Sequence, residues 1–186
     1  MKVVETSLEG CFIIENDVYK DERGYFFESF NSKTFLQLTG LPTSFVQDNQ
    51  SHSTYGVLRG LHFQTGEHAQ AKLVRVLGGK ILDVCVDLRQ ESKTFGQYFS
   101  IELSGDNKQQ LFIPRGMAHG FIVLSESATF FYKCDNFYNK FSELGIMYND
   151  KCLNIDWKLP EADIKLSEKD KGNLSLESYK KQFLNI

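Results

Sequence analysis

Hydrophobic and polar positions alternate with a period of two through most of the middle of the chain. Between Ile81 and Leu88, the side chains of Leu82, Val84, Val86 and Leu88 share one face, and those of Asp83, Cys85 and Asp87 share the other. Residues Lys72 to Val76, Tyr98 to Leu103 and Phe130 to Cys134 alternate likewise. This is the period of β-strands. Gly78-Gly79, Ser104-Gly105-Asp106-Asn107 and Ser125-Glu126-Ser127 punctuate the runs as turns. Short strands at this spacing predict an all-β sandwich or barrel of jelly-roll type. Two short peripheral helices are also predicted. Asn31 or Ser32 caps one that contains Phe35 and Leu36 and stops at Gly40; Ser175 caps a C-terminal one carrying Tyr179 and Phe183. No repeat, low-complexity tract or Pro/Gly linker divides the chain, so residues 1–186 read as a single domain.

Two places resist a simple core reading. Asp83 and Asp87 interrupt an otherwise apolar run. Facing solvent they need no explanation; facing a barrel lumen each needs a cationic or donor partner, because an unpaired buried carboxylate is costly. A histidine across the lumen is the natural candidate. In Leu58-Arg59-Gly60-Leu61-His62-Phe63-Gln64, Arg59 and His62 have opposite strand parity and would point apart on a flat strand. A bulge at Gly60 would re-aim one of them.

Composition narrows the function classes. Aromatic residues make up 13% of the chain, with 16 Phe and 8 Tyr, which suits strands and supplies faces for flat ligands. A net charge of -3 gives no argument for nucleic acid. No apolar run approaches a membrane span, and Met1-Lys2-Val3-Val4-Glu5 lacks the pattern of a signal peptide, so a cytoplasmic location is expected. Cys11, Cys85, Cys134 and Cys152 are widely spaced with no Cys-x-x-Cys pair, which predicts reduced thiols and no structural zinc.

Among the candidate chemical groups, His52 and His68 lie in polar stretches and read as structural. His62 and His119 each sit in a compact motif with glycine and arginine, and imidazole is the usual general base near neutral pH. Lys72, at the start of an alternating run, is either an exposed edge lysine or, turned inward, a fixed charge for a developing oxyanion. Tyr132 is either an aromatic core residue or a weak acid. Asp170, within Leu166-Ser167-Glu168-Lys169-Asp170-Lys171, reads by itself as part of a solvated charge cluster.

Pro114-Arg115-Gly116-Met117-Ala118-His119 has the Pro-x-Gly-x-x-His spacing of the second histidine motif of cupins. The first motif lacks the His-x-His pair of metal-binding cupins, since Gln64 stands at the second position; this predicts a cupin without a metal. The chain further resembles the dTDP-4-dehydrorhamnose 3,5-epimerase family. The matching segments are Asp21 to Phe30, Phe45 to Asn49, Arg59 to Gln64, Ala71 to Arg75, Asp83 to Arg89, Ile113 to Phe121, Tyr132 to Cys134, Trp157 after Asn149-Asp150, and Leu166 to Asp170, in order along most of the chain.

The resemblance implies a cupin-type jelly-roll barrel, a homodimer with N-terminal strands contributing to the partner, and a dTDP-linked 4-keto-6-deoxyhexose as substrate, with no cofactor. It implies His62 as the base, Asp170 as its partner, Lys72 at the C4 oxyanion and Tyr132 as the acid on the opposite face. It implies Arg23, Glu28, Gln47, Asp48, Asn49, Arg59, Lys72, His119, Tyr138, Glu143 and Lys169 as substrate contacts, with Tyr138 stacking on thymine and Asp83 holding His119. Tyr55, where a basic residue is common, and Phe137, in place of a frequent tyrosine, depart from the family pattern outside the acid–base set. Three readings stand: a 3,5-double epimerase, a relative acting at C3 or C5 alone, and a non-catalytic sugar-nucleotide-binding cupin.

Overall fold

The computed structural model describes the whole chain except residues 43, 185 and 186. Its strands are β1 (Lys2–Glu5), β2 (Phe12–Glu15), β3 (Tyr19–Asp21), β4 (Gly24–Phe26), β5 (Gln47–Thr54), β6 (Leu58–Gln64), β7 (Lys72–Gly78), β8 (Lys80–Asp87), β9 (Tyr98–Ser104), β10 (Gln110–Ile113), β11 (Met117–Val123), β12 (Ser127–Cys134) and β13 (Glu143–Gly145). They form a six-stranded sheet in the order β1-β2-β10-β7-β12-β5 and a five-stranded sheet in the order β13-β6-β11-β8-β9; β3 and β4 make a separate hairpin. All the strand pairs within these sheets are antiparallel. This is the mostly-β jelly roll that the alternation predicts, and it is cupin-like, as the resemblance implies.

Alternation sorts the side chains into three apolar layers. Val74 and Val76 of β7, Leu111 of β10 and Phe130 of β12 meet Ile81 and Cys85 of β8 and Phe121 and Val123 of β11, so this core lies between the sheets. The opposite faces of β6, β8 and β11 present Leu58, Leu61, Leu82, Val84, Val86 and Ile122 to Ile146, Trp157, Leu176 and Tyr179 of the C-terminal segment. On the far side of the larger sheet, Leu73 and Phe112 pack under Phe35 of α1 (Ser32–Thr39). Because β8 is covered on both faces, Asp83 and Asp87 are fully buried, which decides the solvent-or-lumen question for the lumen.

The helix signals hold. The Asn31 side chain accepts the backbone N–H groups of Lys33 and Thr34, and Gly40 ends α1 in the left-handed conformation at φ 71°. A second helix, α2 (Glu168–Lys171), capped by Ser167, occupies the stretch that reads from sequence as a charge cluster. Ser175 caps α3 (Leu176–Tyr179), which continues as a π-helical turn over Lys180–Leu184. Among the described residues no helix is long and apolar enough to cross a membrane.

One irregularity positions the site. In the β6–β11 pair His62 lies opposite His119 and Arg59 opposite Phe121, so three residues of β6 span what two span on β11. The expected bulge at Gly60 is present, and it places Leu58 and Leu61 together in the outer core while Arg59 and His62 both turn to the cavity between the sheets. Gly60 adopts φ +139°, and a Cβ there would lie 2.5 Å from the Gly120 Cα, so both positions require glycine.

Asp87 anchors the segment that leaves β8. It accepts hydrogen bonds from Arg89 Nε at 2.9 Å, Arg89 Nη2 at 2.7 Å, Ser92 Oγ at 2.6 Å and Thr94 Oγ1 at 2.7 Å. Burial pushes this carboxyl up, but the donors outweigh it and hold it at about 2. A carboxylate held below its unfolded value stabilises the fold above that value and loses the contribution as pH falls through the folded one; here roughly 2.5 kcal/mol disappears between about pH 4 and pH 2. Asp87→Asn should therefore be less stable than the parent at pH 7 and show a flatter decline in denaturant midpoint below pH 4. Parallel acid profiles for the two proteins would contradict this assignment.

Candidate active site

The bulge and the strand parity bring Asn49 of β5, Arg59 and His62 of β6, Lys72 of β7, His119 of β11 and Tyr132 of β12 around one cavity of about 590 Å³, closed on one side by Ser167, Lys169 and Asp170. A narrower lobe of about 100 Å³ shares Asn49, His62, Lys72 and Tyr132 and adds Gln47, Cys134, Tyr138 and Glu143. His62 and Tyr132 therefore belong to different sheets and face the same space.

His62 Nε2 lies 2.5 Å from Asp170 Oδ1, and Asp170 Oδ2 accepts a 2.9 Å bond from the Ser167 hydroxyl. Burial pushes the Asp170 carboxyl up, but the bond and charge of His62 and the Ser167 hydroxyl hold it below the usual carboxylate range. An ionised carboxylate only accepts, so Nε2 carries the proton of this pair and Nδ1 is left with the free lone pair. The pair links β6 to α2 over a sequence separation of 108.

His119 is buried, and its Nε2 lies 2.9 and 3.1 Å from the two carboxylate oxygens of Asp83, itself fully buried. Burial lowers the His119 imidazole pKa, and Asp83 partly restores it. The two histidines are thus held by different acids in different surroundings.

Lys72 is not an edge lysine: β7 is paired on both sides, by β10 and β12. Its ammonium is pushed down by burial, an effect opposed by Cys134, Asp83 and Glu143, and it lies 5.8 Å from the centre of the Tyr132 ring. Burial, helped by the nearby Cys134 and Glu143, pushes the Tyr132 phenol up to about 12, so it keeps its proton at neutral pH.

The rim is tied together by polar side chains. Glu143 Oε2 receives both Lys169 Nζ at 2.6 Å and the Tyr138 hydroxyl at 2.7 Å. Burial raises that carboxyl, but these two donors bring it below its ordinary value. Gln47 Nε2 donates to Asn49 Oδ1 at 3.1 Å, and Gln47 Oε1 accepts the Tyr138 backbone N–H at 3.1 Å. Arg59 Nε donates to buried Ser53 Oγ at 3.1 Å, the one hydrogen bond of this guanidinium among the described residues. Buried Gln64 accepts the backbone N–H of Asn139 at 3.0 Å, so it anchors the loop before β13.

Three expected contacts do not line this cavity. Asp48 falls between the inward-facing Gln47 and Asn49, so alternation turns it to the outer face of the sheet, where it pairs with Lys133 at 3.0 Å. Arg23 lies in the β3–β4 hairpin, bonded to Asp21, and Glu28 accepts from Asn31 at 3.1 Å; both are exposed and away from the cavity of their own chain. Conversely, Ser53 and Ser167 were not legible as site residues. Ser167-x-x-Asp170 does have the spacing of a helix capping box, and that signal could have placed both the helix and the carboxylate.

The sequence profile of the dTDP-4-dehydrorhamnose 3,5-epimerase family matches residues 5–178. The chain is 52% identical over 168 residues to the dTDP-4-dehydrorhamnose 3,5-epimerase of Salmonella typhimurium, covering 89% of this chain and 92% of that one. The crystal structure of the enzyme of that name from Elizabethkingia anophelis superposes with a TM-score of 0.92 at 60% identity, covering 95% of this chain and 97% of that one. A dTDP-6-deoxy-D-glucose-3,5-epimerase of Legionella pneumophila, solved in complex with dTDP-4-keto-L-rhamnose, superposes with a TM-score of 0.91 at 49% identity, covering 95% of this chain and 93% of that one.

Proposed function

The chain belongs to the dTDP-4-dehydrorhamnose 3,5-epimerase family, and on that footing we propose how its cavity inverts C3 and C5 of dTDP-4-dehydro-6-deoxy-D-glucose to give dTDP-4-dehydro-L-rhamnose. Both hydrogens lie alpha to the C4 ketone. His62 Nδ1 takes one of them, the C–H electron pair moves into the C3–C4 or C4–C5 bond, and the carbonyl electrons move to the C4 oxygen. Asp170 stabilises the resulting imidazolium, as the buried acid of a hydrolase triad does. Lys72 carries the positive charge that meets the C4 oxyanion. Tyr132 returns a proton to the opposite face of the same carbon, the ketone re-forms, and solvent takes the proton from the His62 imidazolium and returns one to the Tyr132 phenolate. The isomerisation balances without oxidant or reductant.

The observation that carries this reading is the placement of an Asp-held imidazole on one sheet and a fully protonated phenol on the other, across one cavity. Arg59, Lys169 and His119 provide donors for the diphosphate and sugar, Gln47, Asn49 and Glu143 the remaining polar contacts, and Tyr138 a face for thymine. Local cations thus explain how a chain of net charge -3 takes a dianionic substrate.

A homodimer completes the proposal. The β3–β4 hairpin exposes Tyr19, Tyr25 and Phe26 together, as an interface would. Buried Arg75 Nε lacks a hydrogen-bond partner among the described residues, with its guanidinium 5.6 Å from the ring centres of both Phe27 and Phe131. In a dimer, Arg23 and Glu28 reach the partner's cavity. The free thiols of Cys11 and Cys85, hydrogen-bonded to each other at 3.6 Å, are compatible with the reducing cytoplasm. Light scattering should give twice the mass of one chain; a monomer with full turnover would refute the shared site.

His62→Ala should cut turnover by about a hundredfold to ten-thousandfold, while calorimetry shows dTDP binding largely intact. Near-normal turnover would remove His62 as the base. In Tyr132→Phe, exchange of substrate protons with deuterated solvent should survive better than net inversion, because abstraction proceeds without the opposite-face donor. Equal loss of both would count against the acid role.

A further inference from the structure

One hydroxyl meets Asp170 twice. Ser167 Oγ accepts the Asp170 backbone N–H at 3.1 Å and donates to Asp170 Oδ2 at 2.9 Å. The first bond caps the four-residue helix α2. The second adds nothing to the cap, because an N-cap side chain acts through its acceptor. What it does is occupy the carboxylate oxygen that His62 leaves free, since His62 Nε2 bonds Oδ1. These are the only hydrogen bonds to the Asp170 carboxylate among the described residues. The terminal torsion of a carboxylate is broad, so one bond leaves its plane loosely set, whereas a second to the other oxygen fixes it.

We infer that Ser167 is a positioning residue for the proton transfer, its hydroxyl holding the Asp170 carboxylate in the plane in which Oδ1 meets His62 Nε2. The inference rests on the reading of His62 as the base. With that plane lost, the imidazole is no longer held in the tautomer that keeps Nδ1 free, and abstraction slows. Binding of the substrate, carried by other side chains, is not expected to change.

The test compares Ser167→Gly, Ser167→Thr and His62→Ala with the parent full-length protein, measuring kcat, KM and melting temperature on the 4-keto-6-deoxy sugar nucleotide. Glycine removes the hydroxyl yet remains an accepted N-cap, so α2 stays formed. Threonine keeps both donor and acceptor, and Ser167 is exposed enough to leave its methyl group room. Ser167→Gly should lower kcat about tenfold with KM within about twofold, the loss of a hydrogen bond to a charged group. Ser167→Thr should recover most of that loss. Parental kcat in Ser167→Gly, beside an inactive His62→Ala, would overturn the positioning role and leave the base assignment standing. A rise in KM alone would make Ser167 a substrate contact instead. A loss of kcat that follows a drop in melting temperature, or that threonine does not restore, would reduce it to a helix cap. Normal turnover in His62→Ala would overturn the underlying reading and this inference with it.

Discussion

A β-strand offers only every second side chain to one face, and the cavity depends on β6 escaping that rule at Gly60. Without the bulge, Arg59 and His62 would face opposite ways, and either the proposed base or the proposed anion-binding arginine would be lost to the outer core. The bulge needs backbone to pass within contact of backbone, which is why Gly60 and Gly120 face each other with no room for a Cβ at either. Strand geometry, rather than any single polar contact, selects which side chains can cooperate.

The interior those side chains enter is an awkward place for charge, and the acids in and around it are answered locally. Asp83 is held against His119, Asp170 against His62 and Ser167, and Glu143 against Lys169 and Tyr138. The pairs do different things to their histidines. His119 sits deep, with burial disfavouring its charged form, which suits a neutral donor or acceptor toward substrate. His62 is more open to the cavity and has an ionised partner ready to stabilise the charge it gains on taking a proton. Two histidines opposite each other in register, His62 and His119, therefore divide into a proposed proton acceptor and a proposed substrate contact.

Much of this was legible in the sequence because it follows from period. The strand alternation, the end of α1 at Gly40 and the bulge at Gly60 are local consequences of period and turn chemistry, whereas the sidedness of Lys72, Tyr132 and Asp83 stays open in the sequence because period alone does not say which face is covered. Asp170 was not legible that way: its partner is 108 residues distant, and its short helix has no hydrophobic periodicity to betray it. Family resemblance points to it, and the Ser167-x-x-Asp170 spacing marks it physically. Asp48, matched by motif, lies on the face that strand alternation gives it, paired with Lys133 and away from the cavity of its own chain. Arg23 and Glu28 lie away from the cavity of their own chain, and their proposed role needs a second chain, which no pattern within one chain can place.

The central claim is that one base and one acid, facing each other across the cavity, invert two carbons alpha to the same ketone. The most direct measurement is NMR of the product formed by the parent enzyme in deuterated water. The account predicts solvent deuterium at both C3 and C5, each with inverted configuration. Label and inversion at one carbon alone would contradict it.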